Sequence, residues 1–120
     1  MTIPVNFHTI SNDPDSYKLA FSTDDRPERG YLFHVLYQAM QLRLNEELSG
    51  SSLKASSMSN KTDLFEPFEA DRGYIEIDTL YSSESVIALD AYLYTPDGHL
   101  KGKASCTIRL SASTSSISAA

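Results

Sequence analysis

GYLFHVLYQAMQLRLNEELSG, residues 30–50, is the stretch that decides the fold. In its first three turns Tyr31, Leu32, Phe33, Val35, Leu36, Tyr37, Ala39, Met40 and Leu42 leave room for only three polar side chains, His34, Gln38 and Gln41. A helix on the outside of a sheet shows one apolar stripe, whereas a helix apolar on most sides is wrapped by other structure. The polar exceptions recur at i, i+4 and i+7, which sets them on one line of the cylinder. Everything downstream reads as strand. One apolar helix followed by a run of antiparallel strands predicts an α+β protein, with an antiparallel sheet wrapped around one long central helix. The polar line is where chemistry would sit.

Working outward, Asp25-Arg26-Pro27-Glu28 has the D-x-x-E spacing of a capping box, and Pro27 suits a first helical turn, where its missing N–H costs nothing. Gly50 can take the left-handed cap at the other end. Before the helix, Val5 to Ile10 reads as a short strand, and Tyr17 to Ser22 alternates Tyr17, Leu19 and Phe21 on one face. The turn formers of SNDPDS separate them. After the helix, Leu53 to Met58 is a Ser-rich strand, and Asp63 to Gly73 is a loop or bulged edge because Pro67 does not suit a central strand. Ile75, Ile77 and Thr79 then alternate with Glu76 and Asp78. Ile87, Leu89, Ala91 and Leu93 form one face of the next strand, and Leu100, Gly102, Ala104, Cys106, Ile108 and Leu110 one face of the last. Between these two, Thr95-Pro96-Asp97-Gly98 is a hairpin turn with Pro at its second position and Gly set for positive φ.

Length and charge narrow the function classes. The chain of 120 residues is one domain, residues 1–110, followed by a Ser-rich stretch, 111–120, with too little to bury and expected to be disordered. A net charge of −6 without any cluster of Lys or Arg disfavours nucleic acid and anionic membrane surfaces as partners. Cys106 is the single cysteine, and His8, His34 and His99 are scattered, so neither a disulfide framework nor a metal site is expected. The first residues lack the basic and apolar regions of a signal peptide, and no apolar run reaches the ~18 residues of a membrane span. The expectation is a soluble, cytoplasmic protein.

Three segments resemble the hotdog fold of type II acyl-CoA thioesterases. RGYLFHVLYQAM is similar to the Gly-Gly-Tyr-Leu start of their central helix, FEPFEADRGY to their F-x-x-P-F-x-A-D-x-W segment, and AYLYTPDGHLKGKASCTIRL to their last hairpin. The resemblance spans roughly Tyr17 to Leu110 and implies an acyl thioester substrate, carried by coenzyme A or by the phosphopantetheine of an acyl carrier protein, and no separate cofactor. The chain departs from the family at its chemistry. Ser59, followed by Asn60, stands where the thioesterase aspartate is expected, and Cys106 and Thr107 replace the Gln and Gly of the final strand. The H-x-x-x-G-x-x-x-x-P loop and helical acid of hotdog dehydratases are missing, Val35 occupying the nearest helix position. Gly30 and Tyr37 match the Gly-to-Tyr spacing of proteins resembling 4-hydroxybenzoyl-CoA thioesterase, but Asp25 lies a residue or two upstream of the family's Asp.

These residues leave a short list of candidates. Asp25, at the positive end of the helix dipole, is a carboxylate that could attack a thioester or activate water, or it simply caps the helix. His34 suits a general base or a donor to the thioester carbonyl, and otherwise a satisfied interface histidine. Gln38 could orient water or carbonyl, or face a partner subunit with Gln41. Gly30 and Tyr31 would supply helix N-terminal N–H groups to an oxyanion, and Tyr31, Tyr37 and Tyr92 could line an acyl pocket or serve as packing aromatics. Cys106 alternates onto the buried face and reads as an inert thiol. Three functions compete: a single-hotdog thioesterase, a non-catalytic or dehydratase-like acyl-binding hotdog protein of fatty-acid or polyketide metabolism, and a small-ligand protein of the cystatin or nuclear-transport-factor type. A homodimer at least is expected, since one such domain leaves strand edges unpaired and one side of its helix poorly covered.

Overall fold

The computed structural model describes residues 5–13, 16–23, 31–65 and 72–112. Six strands and one helix follow in the order β1 (Val5–Asp13), β2 (Ser16–Thr23), α1 (Tyr31–Leu48), β3 (Leu53–Leu64), β4 (Arg72–Ser82), β5 (Val86–Tyr94) and β6 (Leu100–Ala112). All pairings are antiparallel, in one sheet of order β1-β2-β4-β5-β6-β3. The first two strands therefore lie on one flank of a β4-β5-β6 meander, and β3, the strand after the helix, crosses to the other.

The core forms where the inward faces of the strands meet the helix. Tyr17, Leu19 and Phe21 of β2, Ile75 and Ile77 of β4, the four alternating residues of β5 from Ile87 to Leu93, and Ala104, Cys106 and Ile108 of β6 are buried. They close on Leu32, Val35, Leu36, Ala39, Met40 and Leu44 of α1. Strand alternation thus runs as the sequence pattern predicts, with one exception. Leu100 is exposed, because Leu93 pairs with Gly102 while Tyr94 pairs with Leu100. The extra residue, Lys101, makes a bulge that turns Leu100 away from the core.

The helix differs from its expected form. Its buried residues make one stripe, and Phe33, Tyr37 and Leu42 lie exposed on the outward side among the polar residues. The surplus of apolar side chains is real, but the fold of the chain does not bury it. The C-terminal end of α1 is fastened by Arg43, a buried residue whose guanidinium sits 4.9 Å from the centre of the Tyr17 ring and 2.8 Å from Glu47. Glu47 also accepts from Thr79, and Glu46 from Asn12. Three strands are thereby tied to the last turn. Burial, then the Glu46 carboxylate, pushes the Tyr17 hydroxyl above its ordinary range. Gly50, with φ 78°, takes the left-handed cap expected of it.

Several boundaries move outward. β1 continues to Asp13, and the expected six-residue strand at Leu53 runs twelve residues to Leu64, absorbing Asp63 from the predicted loop. β6 reaches Ala112, two residues into the stretch expected to be a disordered tail, because Leu53 pairs with Ala112. The rest of that stretch, 113–120, lies outside the described residues, as does the Asp25-to-Glu28 capping box. The β5–β6 hairpin forms as the sequence predicts: Gly98 N–H donates to Thr95 O at 2.9 Å, Thr95 N–H to His99 O at 2.9 Å, and the Thr95 hydroxyl to Asp97. That hydroxyl contact, above all, holds the Asp97 carboxyl below its usual range.

Candidate functional site

Because the sheet curls, both of its edge strands come up beside the outward side of α1. A groove of about 520 Å³ runs between the helix and β3, lined by Phe33, His34, Tyr37, Asn60 and Thr62. A second, of about 510 Å³, runs between the helix and β1, lined among others by Val5, Phe7, His34, Tyr37, Gln38 and Gln41. His34 and Tyr37 belong to both grooves and form the ridge that divides them.

The i, i+4, i+7 line of polar residues is therefore one wall of a cleft. His34, Gln38 and Gln41 are each half-buried. The Gln41 side-chain amide donates to the Tyr37 hydroxyl at 2.8 Å, which fixes the phenol one turn along from His34. The His34 ring has its Nε2 buried and without a hydrogen-bond partner among the described residues. A buried ring nitrogen left unpaired costs about 1–3 kcal/mol. The facing wall supplies Asn60 and Thr62, a side-chain amide and a hydroxyl.

Of the residues singled out from the sequence those on the helix can be placed, whereas Tyr92, offered for an acyl pocket, lines neither groove: it alternates onto the outward face of β5 and its hydroxyl donates to Asp90. His34, Tyr37 and Gln38 come together on the outward side of the helix, and Tyr31 is its first residue. Asp25 and Gly30 lie outside the described residues. The sequence reading missed Asn60 and Thr62 as groove residues, having treated Asn60 only as a neighbour of a lost aspartate. Their signal was the alternation Met58, Asn60, Thr62, which faces Ile108, Cys106 and Ala104 of β6 and so points to the helix side. Cys106 is buried and burial pushes its thiol up to about 11, so it is a packing residue and no nucleophile. Among the described residues no three His, Cys, Asp or Glu side chains converge as a metal site, and no helix is long and apolar enough to cross a membrane.

No protein-family model and no curated protein matches this sequence. Solved structures do match. A hypothetical thioesterase protein with coenzyme A from Streptococcus pneumoniae superposes with a TM-score of 0.70 at 12% identity, over 89% of this chain and 87% of that one. A Streptococcus mutans protein bound to acetyl-CoA gives 0.71 at 13% identity, over 89% and 90%. A variant of the phenylacetic acid degradation protein PaaI from Thermus thermophilus gives 0.67 at 17% identity, over 86% and 91%. The protein has the hotdog fold. Within that fold it resembles the thioesterase structures, and at these identities the likeness is one of architecture.

Proposed function

We propose that this chain processes acyl thioesters, as a thioesterase hydrolysing an acyl-CoA or an acyl-carrier-protein thioester, and that it does so as a homodimer. The observation that carries the reading is the polar line of His34, Gln38 and Gln41, which the helix sets along a cleft shared with both edge strands. The ligands of the neighbours support the substrate class: one of these structures is described with coenzyme A and another with acetyl-CoA.

The mechanism follows from that geometry. A thioester carbonyl lies in the groove between α1 and β3, with N–H groups of the first turn of the helix, from Tyr31 on, holding its oxygen as negative charge develops. The His34 ring takes a proton from water as the water oxygen bonds to the carbonyl carbon. When the C–S bond breaks, that proton passes to the departing thiolate, leaving a free acid and a thiol. Gln38 and Asn60 orient the water and the carbonyl, Phe33 and Tyr37 flank the acyl chain, and Asp25 is the further candidate to activate water. The dimer rests on β3, an edge strand of twelve residues carrying only Lys54, Lys61 and Asp63 as charges, and on the exposed apolar residues of α1. Such an edge invites pairing with a second copy.

A second reading, a non-catalytic acyl-binding hotdog protein, is favoured by one fact: no carboxylate lines either groove among the described residues. A panel of acyl-CoAs with a thiol reagent separates the two. Hydrolysis that falls ~10²-fold in His34→Ala and falls in Gln38→Leu and Asp25→Asn, with melting temperatures little changed, supports the thioesterase. Full activity in His34→Ala sinks this site. Binding without turnover by the wild type leaves the acyl-binding reading in its place.

A further inference from the structure

The outward face of the sheet contributes to neither groove, yet it holds a hollow of its own. Cross-strand register sets Asn6, Ser22 and Arg72 in one row and His8, Ala20 and Tyr74 in the next. The central residues of both rows, Ser22 and Ala20 of β2, are small. Taller neighbours on β1 and β4 rise on either side, and Pro96 of the hairpin turn closes one end. The result is a depression of about 460 Å³, within the roughly 300–1,000 Å³ of sites that take small organic molecules.

Its chemistry is one-sided. Among the described residues that line it there is no carboxylate. Arg72 is exposed and has no ion-pair partner among the described residues. The nearby Lys18 does not line the hollow; its ammonium lies 5.2 Å from the centre of the Tyr74 ring, and Glu76 stands opposite it in the sheet. Lys18 thus steadies the aromatic wall, and among the described residues Arg72 is a cation without an ion-pair partner. In a chain of net charge −6, such a guanidinium beside an aromatic ring and a flat Ala/Ser floor selects for an anion with a planar body.

We propose that this hollow is a second ligand site, for a small aromatic carboxylate. The carboxylate meets the planar fork of Arg72, with the Asn6 amide and Ser22 hydroxyl as further donors. The ring lies on Ala20 beside Tyr74 and Pro96. This site is on the opposite face of the sheet from the helix and does not depend on the thioesterase reading. An exposed Arg–carboxylate pair and one aromatic contact give weak binding, on the order of millimolar.

The test is an NMR titration of the full chain with benzoate, benzamide, cyclohexanecarboxylate and inorganic phosphate, following the Ala20 methyl and the Asn6, Ser22 and Arg72 amides. Benzoate should produce saturable shifts there, with the other three at least tenfold weaker. Arg72→Gln should weaken benzoate at least tenfold, and Ala20→Leu, which fills the floor, should abolish its shifts. Ser22→Leu provides the same block should Ala20→Leu fail to fold. The proposal is overturned if the folded wild type shows no saturable shift up to about 20 mM benzoate, if benzamide, cyclohexanecarboxylate or phosphate matches benzoate, or if binding survives Arg72→Gln and the floor-filling variant.

Discussion

Phe33→Asp separates the stability of the subunit from that of the proposed dimer. Phe33 is 43% exposed on the outward side of α1, while Leu36, three residues on, is fully buried. Completely burying a phenylalanine is worth about 1.5–3 kcal/mol, so covering the exposed share by a second copy contributes roughly 1 kcal/mol per subunit, roughly 2 per dimer. An aspartate there forfeits that and adds about 2 kcal/mol on each side for a carboxylate taken from water without a partner. A combined loss of about 6 kcal/mol weakens association by some four decades, at about 1.4 kcal/mol per tenfold. Light scattering on a sizing column at micromolar concentration should find the wild type at twice the 13.3 kDa chain mass and the variant at the single-chain mass. Circular dichroism of the variant should keep its helix and sheet signals. Leu36→Asp is the contrasting control. There the same charge enters the core, costs an amount comparable to the whole stability of a small domain, and should leave nothing folded. A folded Phe33→Asp with the wild-type mass, or a wild type at the single-chain mass, refutes the helix face as an interface.

Two predictions concern the subunit alone. Burial raises the Cys106 thiol to about 11 from 9.0, so native protein at pH 8 should resist iodoacetamide and react only on unfolding. The unfolded thiol loses its proton first as pH rises; the stability tied to the neutral buried thiol is full below about 9 and lost between about 9 and 11. Cys106→Ala should flatten that part of the urea-midpoint profile, and rapid labelling of folded protein would contradict it. Gly98 sits at φ 92° with open space around a hypothetical Cβ, so Gly98→Ala introduces backbone strain but no clash. It should cost about 1 kcal/mol, a fall in melting temperature of roughly 4 °C, and an unchanged melt would show that the turn relaxes freely.

How far the sequence could be read depends on which partner each side chain has. The β4-β5-β6 meander was plain because its inward residues all meet one core and alternate with period two. β3 was half lost because its inward residues, Met58, Asn60 and Thr62, flank a groove and carry no apolar signature. Phe33, Tyr37 and Leu42 read as wrapped because hydrophobicity alone does not say which side of a helix the sheet covers, and the structure leaves these three exposed. Leu100 was misplaced by one bulged residue, a matter of local register that periodicity does not encode. At the site, helical spacing alone aligned His34, Gln38 and Gln41. The opposite wall is a tertiary contact between segments that have no pattern in common.

The sheet order has a consequence for how the groove comes into being. β3 hydrogen-bonds to β6 and to no other strand, so Ser59 must wait for Thr107 across nearly half the chain. The meander closes through short turns, and its contacts are local and quick to form; the β3–β6 ladder closes a long loop that contains the whole of β4 and β5. Assembly therefore runs from the middle of the sheet outward, and the wall bearing Asn60 and Thr62 is a late addition. Weakening the end of β6 near Ala112, far from His34 along the chain, would leave a folded meander with its cleft unfinished, a lesion of function that a helix-and-sheet spectrum would barely register.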